Sequence, residues 1–171
     1  MQKVLVPSKD IDKMVKGIAA KISEQYAGRE VVFVCVLKGA FMFFSDIIKN
    51  LEGVDVVVDF LKASSYGLGT TSTGNVVIKK DIDENVEGKD VILIDDLVDT
   101  GNTLKFLCAH MLYKKAKSVK TCVLLDKPSR RQVEFVPDYC AKAIDDLFVI
   151  GYGLDAGGKF RGLHDIYYIE E

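Results

Sequence analysis

The sequence predicts an α/β protein with a central, mainly parallel five-stranded sheet flanked by helices. Two observations carry this reading. First, the short apolar runs Val31–Leu37, Val56–Leu61, Val91–Ile94, Val119–Leu125 and Leu147–Ile150 are rich in β-branched residues and mostly continuous rather than alternating, the pattern of strands covered on both faces. Second, segments with apolar residues at helical spacing lie between them, and strand–helix alternation implies βαβ units with right-handed crossovers. A chain of 171 residues with 49% hydrophobic residues, 28% charged residues and 3 Pro favours one domain over 1–171 and argues against wholesale disorder.

The elements follow in order. After Ser8, the residues Ile11, Met14, Val15, Ile18, Ala19 and Ile22 fall at helical spacing, with Gly28 as the stop. Strand Val31–Leu37 leads to a second helix marked by Phe41, Phe44, Ile47, Ile48 and Leu51. Strand Val56–Leu61 is followed by ASSYGLGTTSTGN, rich in Gly, Ser and Thr and free of charge. That stretch reads equally as a plain connection or as a flexible lid over about 63–75. Strand Val91–Ile94 precedes a third helix marked by Leu104, Leu107, Cys108, Met111 and Leu112. Beyond Asp126 the chain reads as short strands and turns that end in the apolar, aromatic DIYYIE.

Charge and composition exclude several classes. With 23 Lys+Arg against 25 Asp+Glu, a net charge of −2 and a pI near 5.8, a protein that grips nucleic acid through bulk positive charge is disfavoured. The candidate basic runs are SRR at 129–131 and KKAK at 114–117. No apolar stretch is long enough to span a bilayer and the opening MQKVLVPSKD lacks the apolar run of a signal peptide, so a soluble, cytoplasmic protein without a membrane partner is expected. Cys35, Cys108, Cys122 and Cys140 stand far apart with no CxxC pair, which disfavours a zinc site. Cys35 and Cys122 lie in apolar runs and read as core residues. The two histidines, His110 and His164, read as surface or packing residues.

The most informative stretch is VILIDDLVDTGNTL at 91–104. Asp95 and Asp96 fall at the carboxyl end of a buried strand, where open α/β sheets bind ligands. Adjacent carboxylates accept hydrogen bonds from vicinal hydroxyls or hold a hydrated Mg²⁺. Asp99 follows, and Thr100, Gly101, Asn102 and Thr103 lead into the third helix as a ready phosphate site. A ribose 5-phosphate suits both halves. Capping alone could explain Asp99 or Thr100, but not a second and third acid so close to a buried strand, where an unsolvated carboxylate is costly.

This stretch resembles the phosphoribosyl-diphosphate-binding signature of the type I phosphoribosyltransferases. VLKGAF at 36–41, ASSYG at 63–67, LLDKPSRR at 124–131 and FVIGYGLD at 148–155 extend the resemblance, in order and spacing, to the bacterial hypoxanthine-guanine enzymes of that family. It covers about residues 30–162. The implied fold adds a small hood, built from the termini, above the strand ends. The implied activity is Mg²⁺-dependent transfer of a phosphoribosyl group to a 6-oxopurine, with phosphoribosyl diphosphate and purine bases as partners. A homodimer or homotetramer is implied as well.

The resemblance also implies roles. Asp95 and Asp96 would bind the ribose hydroxyls, directly or through Mg²⁺, and Thr100 to Thr103 the 5-phosphate. Asp99 would be the general base or acid at purine N7. Lys38 and Gly39, at a Leu37–Lys38 peptide that can be cis in the family, would meet pyrophosphate together with Arg161. Lys127 would donate to O6 of the base. A lysine has no acceptor to offer an amino group there. Phe148 would stack on the base and Val149 meet its edge. Asp155 would complete this side as a further Mg²⁺ ligand. Ser65 and Tyr66 would form the tip of the lid. Two departures stand out: the first acid is usually Glu and is Asp95 here, and AGGK follows Asp155 where relatives commonly carry an aromatic. The latter leaves hypoxanthine, guanine and xanthine unranked. The alternatives are a xanthine-preferring enzyme and a nucleic-acid-binding regulator on the same fold. A phosphorelay receiver is disfavoured because its acidic pair would come near the N-terminus.

Overall fold

A computed structural model describes residues 2–66 and 75–170, with Tyr66 described by its backbone only. In chain order the elements are β1 (Gln2–Val6), α1 (Ser8–Gln25), β2 (Glu30–Leu37), α2 (Phe41–Lys49), β3 (Asp55–Tyr66), β4 (Asn75–Lys80), β5 (Asp90–Val98), α3 (Asn102–Tyr113), β6 (Ser118–Asp126), a 3₁₀ turn (Pro128–Arg130), β7 (Tyr139–Ala143), β8 (Val149–Ile150) and β9 (Ile166–Ile169). The main sheet has the order β4-β3-β2-β5-β6-β7. Its strands β3, β2, β5, β6 and β7 run parallel, and β4 pairs antiparallel with β3 at the edge.

The expected five parallel strands are therefore present, joined by an antiparallel sixth, but their membership differs from the reading of apolar runs. The run at 147–150 supplies β8, which joins β9 and β1 in a separate three-stranded sheet. This second sheet is the hood from both termini. The fifth parallel strand is β7, YCAKA, which is half-buried or exposed along its length. An edge strand with little to bury shows no apolar run.

The sheet separates two cores, and the pleat decides which residue serves which. Val31, Phe33 and Cys35 of β2, with Ile92 and Ile94 of β5, meet Ile11, Val15, Ile18 and Ile22 of α1 and Phe43, Phe44 and Ile47 of α2. Val32, Val34 and Val36, with Val91 and Leu93, meet Leu104, Leu107 and Met111 of α3. Burial on both faces explains why β2 and β5 read as continuous apolar runs. Of the residues whose spacing marks α2, Phe44 and Ile47 are buried and Phe41 is exposed, while Phe43, outside that set, is buried. The stretch 63–75 read as a connection or lid has strand at both ends. Ala63 to Tyr66 continue β3 and pair with Asn75 to Ile78 of β4, while 67–74 lie outside the described residues.

Candidate active site

At the carboxyl end of the parallel strands lies a cleft of about 530 Å³. Its floor is the end of β5. Asp95 is buried, and its Oδ1 accepts the Asp96 backbone N–H at 2.9 Å. Asp96 Oδ1 in turn accepts the Leu97 N–H at 2.9 Å. Burial first, and then the negative charge of its neighbour, push the Asp95 carboxyl well above the usual carboxylate range. Burial also raises Asp96, opposed first by a side-chain hydrogen bond with Asp95, then by backbone hydrogen bonds and the charge of Arg161. Two acids pressed together in this way favour a site where a cation or a set of hydroxyl donors completes them. The thiol of Cys35 is pushed up to about 12, by burial and then by the charges of Asp95 and Asp96.

The phosphate-suited loop lies on one side of the cleft. Thr100, Gly101, Asn102 and Thr103 all line it. Gly101 caps α3 with a left-handed backbone, φ 84°, and offers no side chain of its own; the Thr100 Oγ1 before it accepts the Asn102 N–H at 3.2 Å. The loop is clamped from outside by the segment after β6. Gln132 N–H donates to the Thr100 carbonyl at 2.9 Å, and Asn102 Nδ2 donates to Gln132 Oε1 at 3.2 Å. The Arg131 guanidinium donates to the Asp99 carbonyl at 2.8 Å and pairs with Asp126 at 2.5 Å. Asp99 does not cap the helix: its Oδ1 accepts from Arg130 Nε at 3.0 Å. Arg130 and Gln132 line the cleft, and neither was singled out as a ligand-binding residue from the sequence.

Across the cleft, Lys38 and Gly39 turn from β2 into α2, after a cis Leu37–Lys38 peptide. Gly39 packs so tightly on Asp96 that a Cβ there would lie 1.7 Å from Asp96 Oδ2. A Cβ on Gly153 would lie 2.1 Å from the Gly39 carbonyl oxygen. The Lys38–Gly39 loop is thus wedged between β5 and the segment that carries Asp155. Asp155 Oδ1 and Arg161 Nη2 form a pair at 2.7 Å, and Arg161 Nη1 donates to the Gly153 carbonyl at 2.7 Å. Both side chains line the cleft. The AGGK departure forms a two-residue turn: Ala156 and Lys159 exchange backbone hydrogen bonds at 3.2 and 3.1 Å around Gly157 and Gly158, which both take positive φ as a tight hairpin requires. Gly158 N–H donates to Asp155 Oδ2 at 2.6 Å.

The cleft thus unites Lys38, Gly39, Ser65, Asp95, Asp96, Asp99, Thr100 to Thr103, Asp155 and Arg161. Lys127, Phe148 and Val149 do not line it. Lys127 is buried beside it, its backbone N–H donating to the Val98 carbonyl at 2.9 Å and its Nζ lying 3.4 Å from Asp146 Oδ1. Phe148 is 57% exposed and Val149 is buried. The Tyr66 side chain lies outside the described residues. Four of the five cations in the two basic runs are occupied internally. Arg130 faces Asp99 and Asp146, Arg131 pairs with Asp126, Lys114 with Asp81 at 3.0 Å and Lys115 with Glu87 at 3.5 Å. His110 stacks on Phe106 and bonds Asp81, and among the described residues no three His, Cys, Asp or Glu side chains converge as a metal cage.

A parallel α/β sheet whose strand ends offer paired acids beside a helix start, with a guanidinium opposite, defines a protein that handles a phosphorylated sugar. The family model of the phosphoribosyl transferase domain matches residues 2–156, and the chain belongs to that family. It is 43% identical over 170 residues to the hypoxanthine-guanine phosphoribosyltransferase of Aquifex aeolicus, covering 99% of this chain and 95% of that one. Among solved structures, a hypoxanthine phosphoribosyltransferase from Staphylococcus aureus superposes with a TM-score of 0.94 at 40% identity, covering 98% of this chain and 91% of that one. A hypoxanthine-guanine phosphoribosyltransferase from Bacillus anthracis gives 0.94 at 42% identity and covers 98% of both chains. No helix among the described residues is long and apolar enough to cross a membrane.

Proposed function

We propose that this protein is a purine salvage enzyme. It transfers the 5-phosphoribosyl group of phosphoribosyl diphosphate to N9 of hypoxanthine or guanine, giving IMP or GMP and pyrophosphate. The observation that carries the reading is the meeting of the Asp95–Asp96 pair, the Thr100–Thr103 loop, Lys38–Gly39 and Asp155–Arg161 around one cleft. These pieces match the parts of the donor: the acid pair its ribose hydroxyls, the loop its 5-phosphate, and Lys38–Gly39 with Arg161 its pyrophosphate.

Each residue then has a task. The Thr100–Thr103 loop receives the 5-phosphate at the start of α3, where the first N–H groups lack helical partners. Asp95 and Asp96 orient the ribose. Lys38, Gly39 and Arg161 receive the leaving pyrophosphate, Arg161 with its forked donors. Lys127 donates to O6, Phe148 stacks on the purine, and Val149 meets the base edge with its backbone. As N9 forms its bond to C1 of the ribose, the C1–oxygen bond to pyrophosphate breaks and its electron pair leaves with that oxygen. The N7 proton passes to Asp99. Ser65 and Tyr66 close over the reacting carbon and exclude water.

Asp95, Asp96 and Asp155 suit Mg²⁺, a hard cation held by one or two carboxylates with water and substrate phosphates rather than by a complete protein cage. The raised, mutually repelling carboxyls of Asp95 and Asp96 support this fit. The ion would neutralise the diphosphate leaving group. The chain reads as one catalytic domain over 1–171 and as a cytoplasmic enzyme. A homodimer or homotetramer is supported by Phe41, Val58, Phe60 and Val77, large apolar side chains left exposed. The test is nucleotide formation from phosphoribosyl diphosphate and Mg²⁺ with hypoxanthine, guanine, xanthine and adenine in parallel. Turnover of oxopurines with adenine inert supports the reading. Silence with all four bases overturns it, and a clear preference for xanthine replaces the substrate assignment.

A further inference from the structure

Lys127 discriminates between bases only if its ammonium is held where O6 arrives. It is 9% exposed at the side chain, and among the described residues Asp146 holds the one carboxylate within ion-pair distance of it. Asp146 does more than meet this lysine. Its Oδ1 lies 3.4 Å from Lys127 Nζ and its Oδ2 3.5 Å from Arg130 Nη1. Arg130 Nε, in turn, donates to Asp99 at 3.0 Å. The four side chains form a row of alternating charge from Asp99 through Arg130 and Asp146 to Lys127. In that row Asp146 separates two cations.

We infer that Asp146 is a positioning residue for 6-oxopurine selection, holding the Lys127 ammonium in place by shielding it from the Arg130 guanidinium. This rests on the reading of Lys127 given above. Two facts decide that Asp146 assists O6 rather than competing with it. The contact of 3.4 Å is looser than the 2.7–2.9 Å of a strong charge-assisted bond. An ammonium also has three donors, so one can face Asp146 while another meets O6. With a neutral amide in place of the carboxylate, Lys127 and Arg130 repel each other across it. The buried ammonium is the one that must move, because Arg130 stays anchored by Asp99.

The experiment compares Asp146→Asn, Asp146→Glu, Lys127→Gln and the double variant Asp146→Asn/Lys127→Gln, each checked for an unchanged melting temperature. Steady-state constants are taken for hypoxanthine, adenine and phosphoribosyl diphosphate. Asp146→Asn raises KM for hypoxanthine about tenfold, the lower range for a hydrogen bond to a charged group at a half-exposed carboxylate. KM for phosphoribosyl diphosphate stays within about twofold, the preference over adenine narrows, and Asp146→Glu restores most of the loss. In the Lys127→Gln background the Asp146 change adds nothing, as expected of one shared function. If Lys127→Gln abolishes selectivity while Asp146→Asn leaves hypoxanthine KM untouched, the role of Asp146 is refuted and that of Lys127 stands. If Lys127→Gln leaves selectivity intact, the reading of Lys127 falls, and the inference with it. Equal losses for both substrates would mark Asp146 as merely structural and also overturn the proposal.

Discussion

Replacing Gly39 by Ala tests whether the floor of the cleft is as tightly built as its geometry requires. The new Cβ would meet Asp96 Oδ2 at 1.7 Å and Asp96 Cγ at 2.6 Å, so one partner must move. The loop cannot retreat freely, because its own carbonyl would meet a Cβ on Gly153 at 2.1 Å and is therefore already in close contact on that side. Asp96 is tied through Oδ1 to the Leu97 N–H, yet a side chain rotates at lower cost than two packed backbones separate. The carboxylate is therefore expected to swing away, at an overpacking cost of about 1–3 kcal/mol. It forfeits its ribose or cation contact, worth about 1.5–3 kcal/mol for a charged hydrogen bond, or roughly 10- to 150-fold in kcat/KM for phosphoribosyl diphosphate. The assay is steady-state nucleotide formation at varied phosphoribosyl diphosphate, paired with thermal unfolding. A Gly39→Ala enzyme with wild-type kcat/KM would refute the claim that this contact sets the position of Asp96.

Four further outcomes follow from particular contacts. Arg131→Ala leaves the buried Asp126 without its 2.5 Å partner and frees the Asp99 carbonyl; a loss of about 3–5 kcal/mol in denaturant unfolding is expected, and a loss under 1 kcal/mol would contradict it. The Asp90 carboxyl is held below its usual value: burial pulls it up, but the Ser118 hydroxyl and then Arg29 outweigh burial. Its folded value lies below the unfolded one, so its stabilisation is present above about pH 4 and is lost as pH falls through the folded value; Asp90→Asn should flatten the acid limb of the stability curve. Alkylation at pH 8 should reach the exposed Cys140 first. The thiols of Cys108, pushed by burial to about 11, and of Cys35 and Cys122, pushed higher still, should react only slowly or after unfolding, as read by mass. Finally, RNA or duplex DNA should show no salt-sensitive shift with the folded protein, because four of the five cations in the basic runs are already paired.

What the sequence revealed was governed by chain distance and by burial. The stretch 91–104 was legible because the strand, its acids and the loop are contiguous, and the structure sets all of them along one cleft. The helices were legible from their spacing, though spacing did not show that Phe43, and not Phe41, faces the core. Strand β7 stayed hidden because an exposed edge carries no apolar signal. The clamp on the phosphate loop stayed hidden for another reason. Gln132 and Arg131 act through partners about thirty residues away, and no local pattern announces which of several charged residues will face inward. SRR at 129–131 shows this clearly. It reads as a basic patch, and folding turns it into the support of Asp99 and Asp126.

That inward use of charge bears on why the same fold reads here as an enzyme rather than a regulator. A nucleic-acid surface needs cations free to replace counterions along a phosphate backbone. Here Arg130, Arg131, Lys114 and Lys115 each face a carboxylate of the same chain. Moving any of them to an outside phosphate would leave an acid behind, and for the buried Asp126 that cost is large. Arg161 differs in placement. It too has an acidic partner, Asp155, but the pair lines the cleft opposite the strand-end acids. A diphosphate arriving there would meet a guanidinium already oriented by the Gly153 carbonyl, and under the proposed reading Asp155 would stand beside it as an oxygen donor for an accompanying cation. The balance of charge at the cleft therefore suits a small anion that brings its own metal, and four of the five cations in the two basic runs already serve carboxylates of the same chain.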